Sequence, residues 1–341
     1  MPYDYSRIAR EFVRALRGRR SQAALSRRLG YRTNVVYAWE SGRNAPTAAD
    51  ALRMAARTGI DVPGALRDFY RTTPSWLERV DPIGRDGVAA LLDDLRGRTS
   101  IVDLARAAGR SRFAVARWLS GAAEPKLSEF FLLIEKGSLR LLEFIAAFTD
   151  PSALPSVAQR WAELEAARRA AYDVPWTQAV LRTLELTDYA GLSRHEPGWI
   201  AKRIGIPLEE ERRCLDLLVR TGQILECDGA LKLREVLALD TRRDPAAELR
   251  VKRWWANVAL ERLSDGADGI FSYNVFAVSE ADLRRIQDLY RAYFRQVRSI
   301  IAQSEPSERV VLASLQLLPL DAPTPRHGAA RKRAASAKSP R

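Results

Sequence analysis

The sequence has few of the residues on which metal sites, disulfide frameworks and most catalytic centres depend. Among its 341 residues are two cysteines and two histidines. Cys214 and Cys227 lie too far apart for a CxxC pattern, and no GxGxxG, GxxxxGK[ST], HExxH or GxSxG string occurs. We therefore expect no metal site, no cofactor and no enzymatic activity.

Long apolar runs are also missing. A run such as residues 130–134 is five residues long, whereas a bilayer-spanning helix needs roughly 20. No apolar stretch follows the charged first ten residues, as it would in a secretory signal. The sequence predicts a cytoplasmic, nucleoid-associated protein without membrane contact.

Positive charge is concentrated at the two ends of the chain. The formal net charge is +13. Residues 1–60 contain twelve arginines and four acidic residues, and residues 324–341 contain six basic residues and no acidic one, so the rest sums to −1. This distribution favours an anionic partner at the ends.

The first 60 residues show the periodicity of short helices. Apolar residues recur at helical spacing from Tyr5, and arginines occupy the opposite face. Ser21 can cap a second helix that ends at Gly30, and Thr33 can cap a third. Two short helices joined by a tight glycine turn are typical of a helix-turn-helix.

The segment SQAALSRRLGYRTNVVYAWESGRNAPT resembles the helix-turn-helix of the Cro and lambda-repressor-like (Xre) regulators, over about residues 8–62. The residues that carry the resemblance are Gln22, Leu25, Leu29, Gly30, Val36, Glu40, Gly42 and Pro46. In that family the second helix of the motif lies in the major groove. The resemblance implies base-edge contacts by Arg32, Thr33, Asn34 and Tyr37, and base or phosphate contacts at the rim by Gln22, Arg43 and Asn44.

The chemistry of these residues agrees with DNA binding. Arginine and asparagine can make paired hydrogen bonds with guanine or adenine edges, each pair contributing roughly 1–3 kcal/mol of discrimination. Arg10 and Arg14 on the preceding helix can neutralise phosphates. A solvated arginine face on an interaction module is the other interpretation, and the concentration of charge on the motif favours double-stranded DNA.

A degenerate copy of the motif follows 79 residues later. Without a gap, the same residue types recur at Leu16 and Leu95, Gly18 and Gly97, Leu25 and Leu104, Gly30 and Gly109, Trp39 and Trp118, and Pro46 and Pro125. We infer a duplication, with a second helix-turn-helix at residues 88–121.

The second copy has lost most of the charge of the first. Residues 80–139 carry a net charge of +1. The arginine stripe of the first copy, Arg7, Arg10 and Arg14, is replaced by Asp86, Ala89 and Asp93. Possible remaining DNA contacts are Arg110, Ser111, Arg112 and Arg117. Three roles remain open for the second copy: it contacts a second DNA half-site, it assists binding as an auxiliary clamp, or it serves only in packing. We favour the auxiliary clamp. Two readers would imitate a dimer, with half-sites about 34 Å apart.

The remaining sequence predicts further helices and two small β elements. Residues 127–171 are helical in pattern, and residues 197–233 predict a winged helix. The exposed start of its second helix, Glu209 to Glu211, would repel phosphate, which favours a structural or regulatory role.

Residues 269–279 and 310–320 read as strands, with a helix between them that either packs on their sheet, which we favour, or forms a coiled-coil dimer. Residues 175–320 also resemble a carboxyl-terminal domain of unknown function found in some bacterial regulators. The basic tail is expected to be disordered, either following DNA phosphates or aiding solubility.

Together these patterns predict a mainly α fold. It consists of tandem helix-turn-helix domains at 1–73 and 79–171, a winged helix at 172–240, a small α/β regulatory or oligomerisation region at 241–320 and a disordered tail at 321–341. The predicted function is sequence-specific transcriptional regulation, with the carboxyl-terminal region used for assembly or sensing through a homodimer, an effector or a protein partner. The alternative is an antitoxin-like or partner-binding module with secondary DNA contact.

Overall fold

The computed structural model describes residues 3–70, 73–97, 99–234, 244–301 and 304–321. Within these ranges the chain is mainly helical with one two-stranded antiparallel sheet, which confirms the predicted fold class. No helix among them is long and apolar enough to cross a membrane. The predicted disordered tail lies outside the described residues after Asp321.

The amino-terminal residues form five helices: α1 (Tyr5–Arg17), α2 (Gln22–Arg28), α3 (Val35–Ser41), α4 (Ala48–Thr58) and α5 (Val62–Tyr70). The predicted apolar stripe of α1 is buried. Ser21 caps α2 as predicted, but Thr33 does not cap α3. Asn34 takes that role, because its Oδ1 reaches the backbone N–H of Tyr37, at 3.3 Å.

Four further helices repeat this arrangement: α6 (Arg85–Arg96), α7 (Ile101–Ala108), α8 (Arg112–Leu119) and α9 (Leu127–Ser138). Shifting α1 to α4 by 79 residues reproduces their ends to within two residues. The first helix of each set ends at a glycine with positive φ, 60° at Gly18 and 55° at Gly97, a backbone conformation that glycine adopts without a Cβ penalty.

The two sets of helices share one apolar core. Helix α1 contacts α9, and α6 contacts α4. The ring of Phe12 in α1 meets that of Phe131 in α9 edge to face, with centroids 5.3 Å apart. The same core continues through α10 (Leu141–Phe148) into the first half of α11 (Ala158–Asp173). Neither set therefore folds around a core of its own.

The loops that precede α4 and α9 pair with each other through their backbones. Ala48 N–H donates to the carbonyl oxygen of Pro125 at 3.0 Å, and Leu127 N–H donates to that of Pro46 at 2.9 Å. Thr47 and Lys126 form the antiparallel bridge between these bonds. We call this feature the loop bridge.

A second core is built by the elements that follow α11: α12 (Trp176–Leu184), α13 (Thr187–Ala190), α14 (Trp199–Ile204), α15 (Leu208–Arg220), β1 (Ile224–Cys227) and β2 (Ala230–Leu233). The strands pair from Ile224 with Leu233 to Cys227 with Ala230, and the turn contains Asp228 and Gly229 as predicted. This is the expected order of two helices and a hairpin.

One predicted surface residue of this region is buried. The Glu211 side chain is 0% exposed and accepts hydrogen bonds from the backbone N–H groups of Gly198, at 2.7 Å, and Ala201. The predicted exposure of all three carboxylates is wrong at this position, because Glu211 satisfies the first N–H groups of α14. Glu209 is exposed as predicted.

The strands predicted near the carboxyl terminus are not formed. Residues 269–279 and 310–320 flank helix α17 (Glu280–Ile301), which follows α16 (Pro245–Ser264), and neither segment is a strand. A strand needs a hydrogen-bonded neighbour, and the described residues provide none here. The favoured packing of α17 on such a sheet is therefore wrong. Ile270 and Tyr273 are 100% and 94% exposed.

The two cysteines lie in different environments, which makes a test of the second core. Cys214 is buried in α15, and burial raises the pKa of its thiol to about 12, whereas Cys227 is exposed. At mildly alkaline pH we expect iodoacetamide to alkylate Cys227 and to spare Cys214, because the thiolate is the reactive form. Mass spectrometry of the digested protein measures this, and denaturant should make both thiols react. Equal alkylation of the native protein would contradict this core.

Candidate nucleic-acid interface

A buried serine fixes α2 against α3. Val36 N–H donates to Ser26 Oγ at 3.1 Å, and this hydroxyl donates to the carbonyl oxygen of Gln22 at 2.8 Å. Val36 and Trp39 carry the inner face of α3 into the core. These contacts set the angle at which the outer face of α3 is presented.

A second constraint is the carboxylate of Glu40. This buried side chain accepts from Arg17 Nε at 2.5 Å and from Gln22 Nε2 at 2.7 Å, while Arg14 Nε lies 3.8 Å away. It joins α1, α2 and α3. Sequence reasoning assigned it no role, although an acidic residue on the inner side of α3 opposite an arginine helix is the signal that could have found it.

The resemblance placed seven residues at the interface, and six of them are exposed: Arg32, Thr33, Asn34, Tyr37, Arg43 and Asn44. Gln22 differs, because its amide is engaged by Glu40. The guanidinium of Arg43 lies over the Tyr37 ring, 5.2 Å from its centroid. Within the described part of the chain, Arg32 and Arg43 have no carboxylate within ion-pair distance.

Asn34 is less free to read a base than the sequence implies. Its Oδ1 accepts from Tyr37 N–H and lies 3.2 Å from Ser26 Oγ, whose single proton is shared between this oxygen and the nearer carbonyl oxygen of Gln22. Paired hydrogen bonds to adenine require an acceptor and a donor from the same amide. Because the acceptor is engaged, Asn34 contributes mainly to the start of α3.

The arginine stripe of α1 lies in a cleft of about 500 Å³ that also contains carboxylates. Arg7 pairs with Glu11 at 3.1 Å, as Arg14 does more distantly with Glu40. Arg10 lies against Gly42, where a Cβ would meet its Nη1 at 2.6 Å, and so covers the carboxyl-terminal end of α3. The stripe is partly neutralised within the protein.

The second copy presents different chemistry. Arg110 pairs with Glu129 at 3.4 Å, and Ser111 caps α8. Arg112 is exposed and lies over the ring of Phe113, 4.8 Å from its centroid. Arg117 is also exposed, and the described residues offer it no carboxylate partner.

Comparison with known families agrees with this geometry. Residues 13–64 match a family model described as helix-turn-helix, and residues 156–320 match a domain of unknown function (DUF4423). No curated protein and no solved structure matches the chain. The predicted resemblances to an Xre/Cro-like helix-turn-helix and to a carboxyl-terminal domain of unknown function are confirmed.

Removing the Glu40 carboxylate should destabilise the motif. We expect Glu40→Gln to lower the free energy of unfolding by about 1–3 kcal/mol, because Arg17 loses its charged partner in a half-buried position. Urea denaturation followed by circular dichroism measures the change. Glu78→Gln removes an exposed carboxylate and should change stability by less than about 0.5 kcal/mol. Equal effects of the two variants would refute the role given to Glu40.

Proposed function

We propose that this chain, which carries an Xre/Cro-like helix-turn-helix followed by a domain of unknown function, is a non-enzymatic, sequence-specific transcriptional regulator in the nucleoid. Helix α3 enters the major groove and reads base edges. The carboxyl-terminal region serves assembly or sensing. The observation that carries the proposal is the pair of exposed arginines that flank α3, Arg32 and Arg43, for which the described residues provide no carboxylate partner, on a family-matched DNA-binding motif.

The distribution of ion pairs supports this assignment. Charged side chains that organise the motif, such as Arg17 and Glu40, are paired within the protein. Arg32 and Arg43, which flank the outer face of α3, lack such partners within the described part of the chain. Unpaired guanidinium groups are suited to phosphate oxygens and guanine edges.

We also assign the second set of helices to a tandem repeat and the second core to a winged helix. The repeat is supported by the 79-residue spacing of both residue types and helix ends. The winged helix is supported by the order of α14, α15 and the β1–β2 hairpin. A cleft of about 250 Å³ beside the hairpin gives this region a candidate sensing site, lined by residues including Tyr189, Arg194, His195 and Lys232.

A second candidate function, partner binding, is favoured by the apolar surface of residues 245–321. Many large apolar side chains among the described residues of this region are exposed, including Leu249, Leu260, Ile270, Tyr273, Leu289, Tyr293 and Ile300, although Val251 and Val258 are buried. Contiguous exposed apolar surface is typical of protein interfaces. A homodimer formed through α17 would reconcile this surface with the regulator.

Base reading by α3 predicts a loss of selectivity in Arg32→Ala. We expect the affinity for a selected duplex to fall roughly tenfold, because one base contact contributes about 1–3 kcal/mol, with little change for a random duplex. Fluorescence anisotropy at physiological salt, with both duplexes, measures the two affinities.

Arg57→Ala is the matched control, since it removes another exposed arginine, from the last turn of α4. It should weaken both duplexes to the same small extent. If Arg32→Ala also affected specific and random duplexes equally, its assigned base contact would be wrong.

If two copies of the chain assemble through α17, exposed apolar side chains of this helix should stabilise the dimer interface. We expect Leu289→Asp to convert a dimer into a monomer, because a carboxylate in an apolar interface is desolvated without a partner. Light scattering after size-exclusion chromatography reports the mass. Gln296→Asp, an exposed polar position of α17, should leave the dimer intact. A wild-type protein that is monomeric at all concentrations would contradict the homodimer.

A further inference from the structure

We propose that α3 and α8 of a single chain enter successive major grooves of one duplex, so that the chain covers two unequal half-sites. This inference rests on the proposed function, since it requires α3 to lie on DNA. It goes further by giving the second repeat a partner, the adjacent turn of the same duplex.

The loop bridge relates the two repeats by a local twofold axis. Its two hydrogen bonds are reciprocal, because Ala48 and Leu127 occupy equivalent positions in the two copies, as do Pro46 and Pro125. The packing of α1 on α9 and of α6 on α4 is reciprocal in the same way. Equivalent surfaces that meet reciprocally define the interface of a twofold dimer, here formed within one chain.

The bridge also limits the distance between α3 and α8. Asn44 N–H donates to Ala38 O, and the equivalent Ala123 N–H donates to Arg117 O, both at 3.1 Å. Each helix is thereby tied close to its end of the bridge. With 3.8 Å per residue and about 5 Å across the bridge, residues 38 and 117 are at most about 40 Å apart.

This upper limit permits contact with adjacent grooves and excludes contact with more distant ones. Successive major-groove positions on one side of B-DNA lie about 34 Å apart, and the next lie about 68 Å apart. A rotation about a twofold axis leaves each point at the same height along that axis. Helices α3 and α8 therefore lie at equal height on opposite sides of the axis, as two half-site readers require.

The outer face of α8 offers positive charge and apolar surface but few side chains that could hydrogen-bond to base edges. Arg112 and Arg117 can contact phosphate or guanine, and the Phe113 side chain is 68% exposed. The positions equivalent to Tyr37 and Arg43 are Ala116 and Ala122. From this difference we expect α3 to select its half-site sequence strongly and α8 to select its half-site sequence weakly.

The test is hydroxyl-radical footprinting of the full chain on a selected duplex that extends two turns beyond the site read by α3. We expect two protected faces, one helical turn apart. The double variant Arg112→Ala/Arg117→Ala should lose the second face, keep the first and reduce the salt slope of the affinity by about 2, because each phosphate contact contributes about 0.9. The control Arg106→Ala, an exposed arginine of α7 paired with Asp103, should keep both faces.

Three outcomes separate this inference from the proposed function. A wild-type footprint of a single face, with sequence preference retained, would overturn the inference and leave the proposed function intact. A second face that persists in the double variant would assign it to another copy of the chain and would also overturn the inference. Absence of any preferred duplex would overturn the proposed function itself.

Discussion

The reciprocal backbone pairing between the loops before α4 and α9 is the constraint on which the amino-terminal half depends. It joins the two repeats at equivalent points, because Ala48 pairs with Pro125 and Leu127 pairs with Pro46. The two repeats differ in net charge, yet both have a proline at the equivalent position of the loop, Pro46 and Pro125. Behind the bridge, both repeats pack into one apolar core.

Electrostatics distinguishes the arginines that pair within the first repeat from the two exposed arginines that flank α3. Arg17 and Arg14 lie near Glu40, and Arg7 lies beside Glu11, so these cations help to hold the helices together. Arg32 and Arg43 stay exposed on the turn and rim of α3. The net charge of the segment therefore overstates the charge that it offers to a phosphate backbone, and the location of the unpaired cations carries more information than their number.

Local signals predicted the helices well because they depend on apolar spacing, caps and glycine turns that the sequence shows directly. Features that depend on contacts between residues far apart in the sequence were harder to predict. Asn34 caps α3 in place of Thr33 because its Oδ1 also meets Ser26. Glu211 is buried because α14 needs an acceptor, and residues 269–279 lack the neighbouring strand that their alternating pattern suggests. In the same way, the sequence indicated which residues could contact DNA but not that Gln22 would bind Glu40.

In the proposed function, one chain reads DNA sequence chiefly through α3. Selection of bound duplexes from a random pool at physiological salt is the sharpest test, because it yields the motif and the information in each half-site together. We expect an enriched, asymmetric motif with its information concentrated in one half-site and a weaker preference one helical turn away. A selected pool indistinguishable from the starting pool would contradict it.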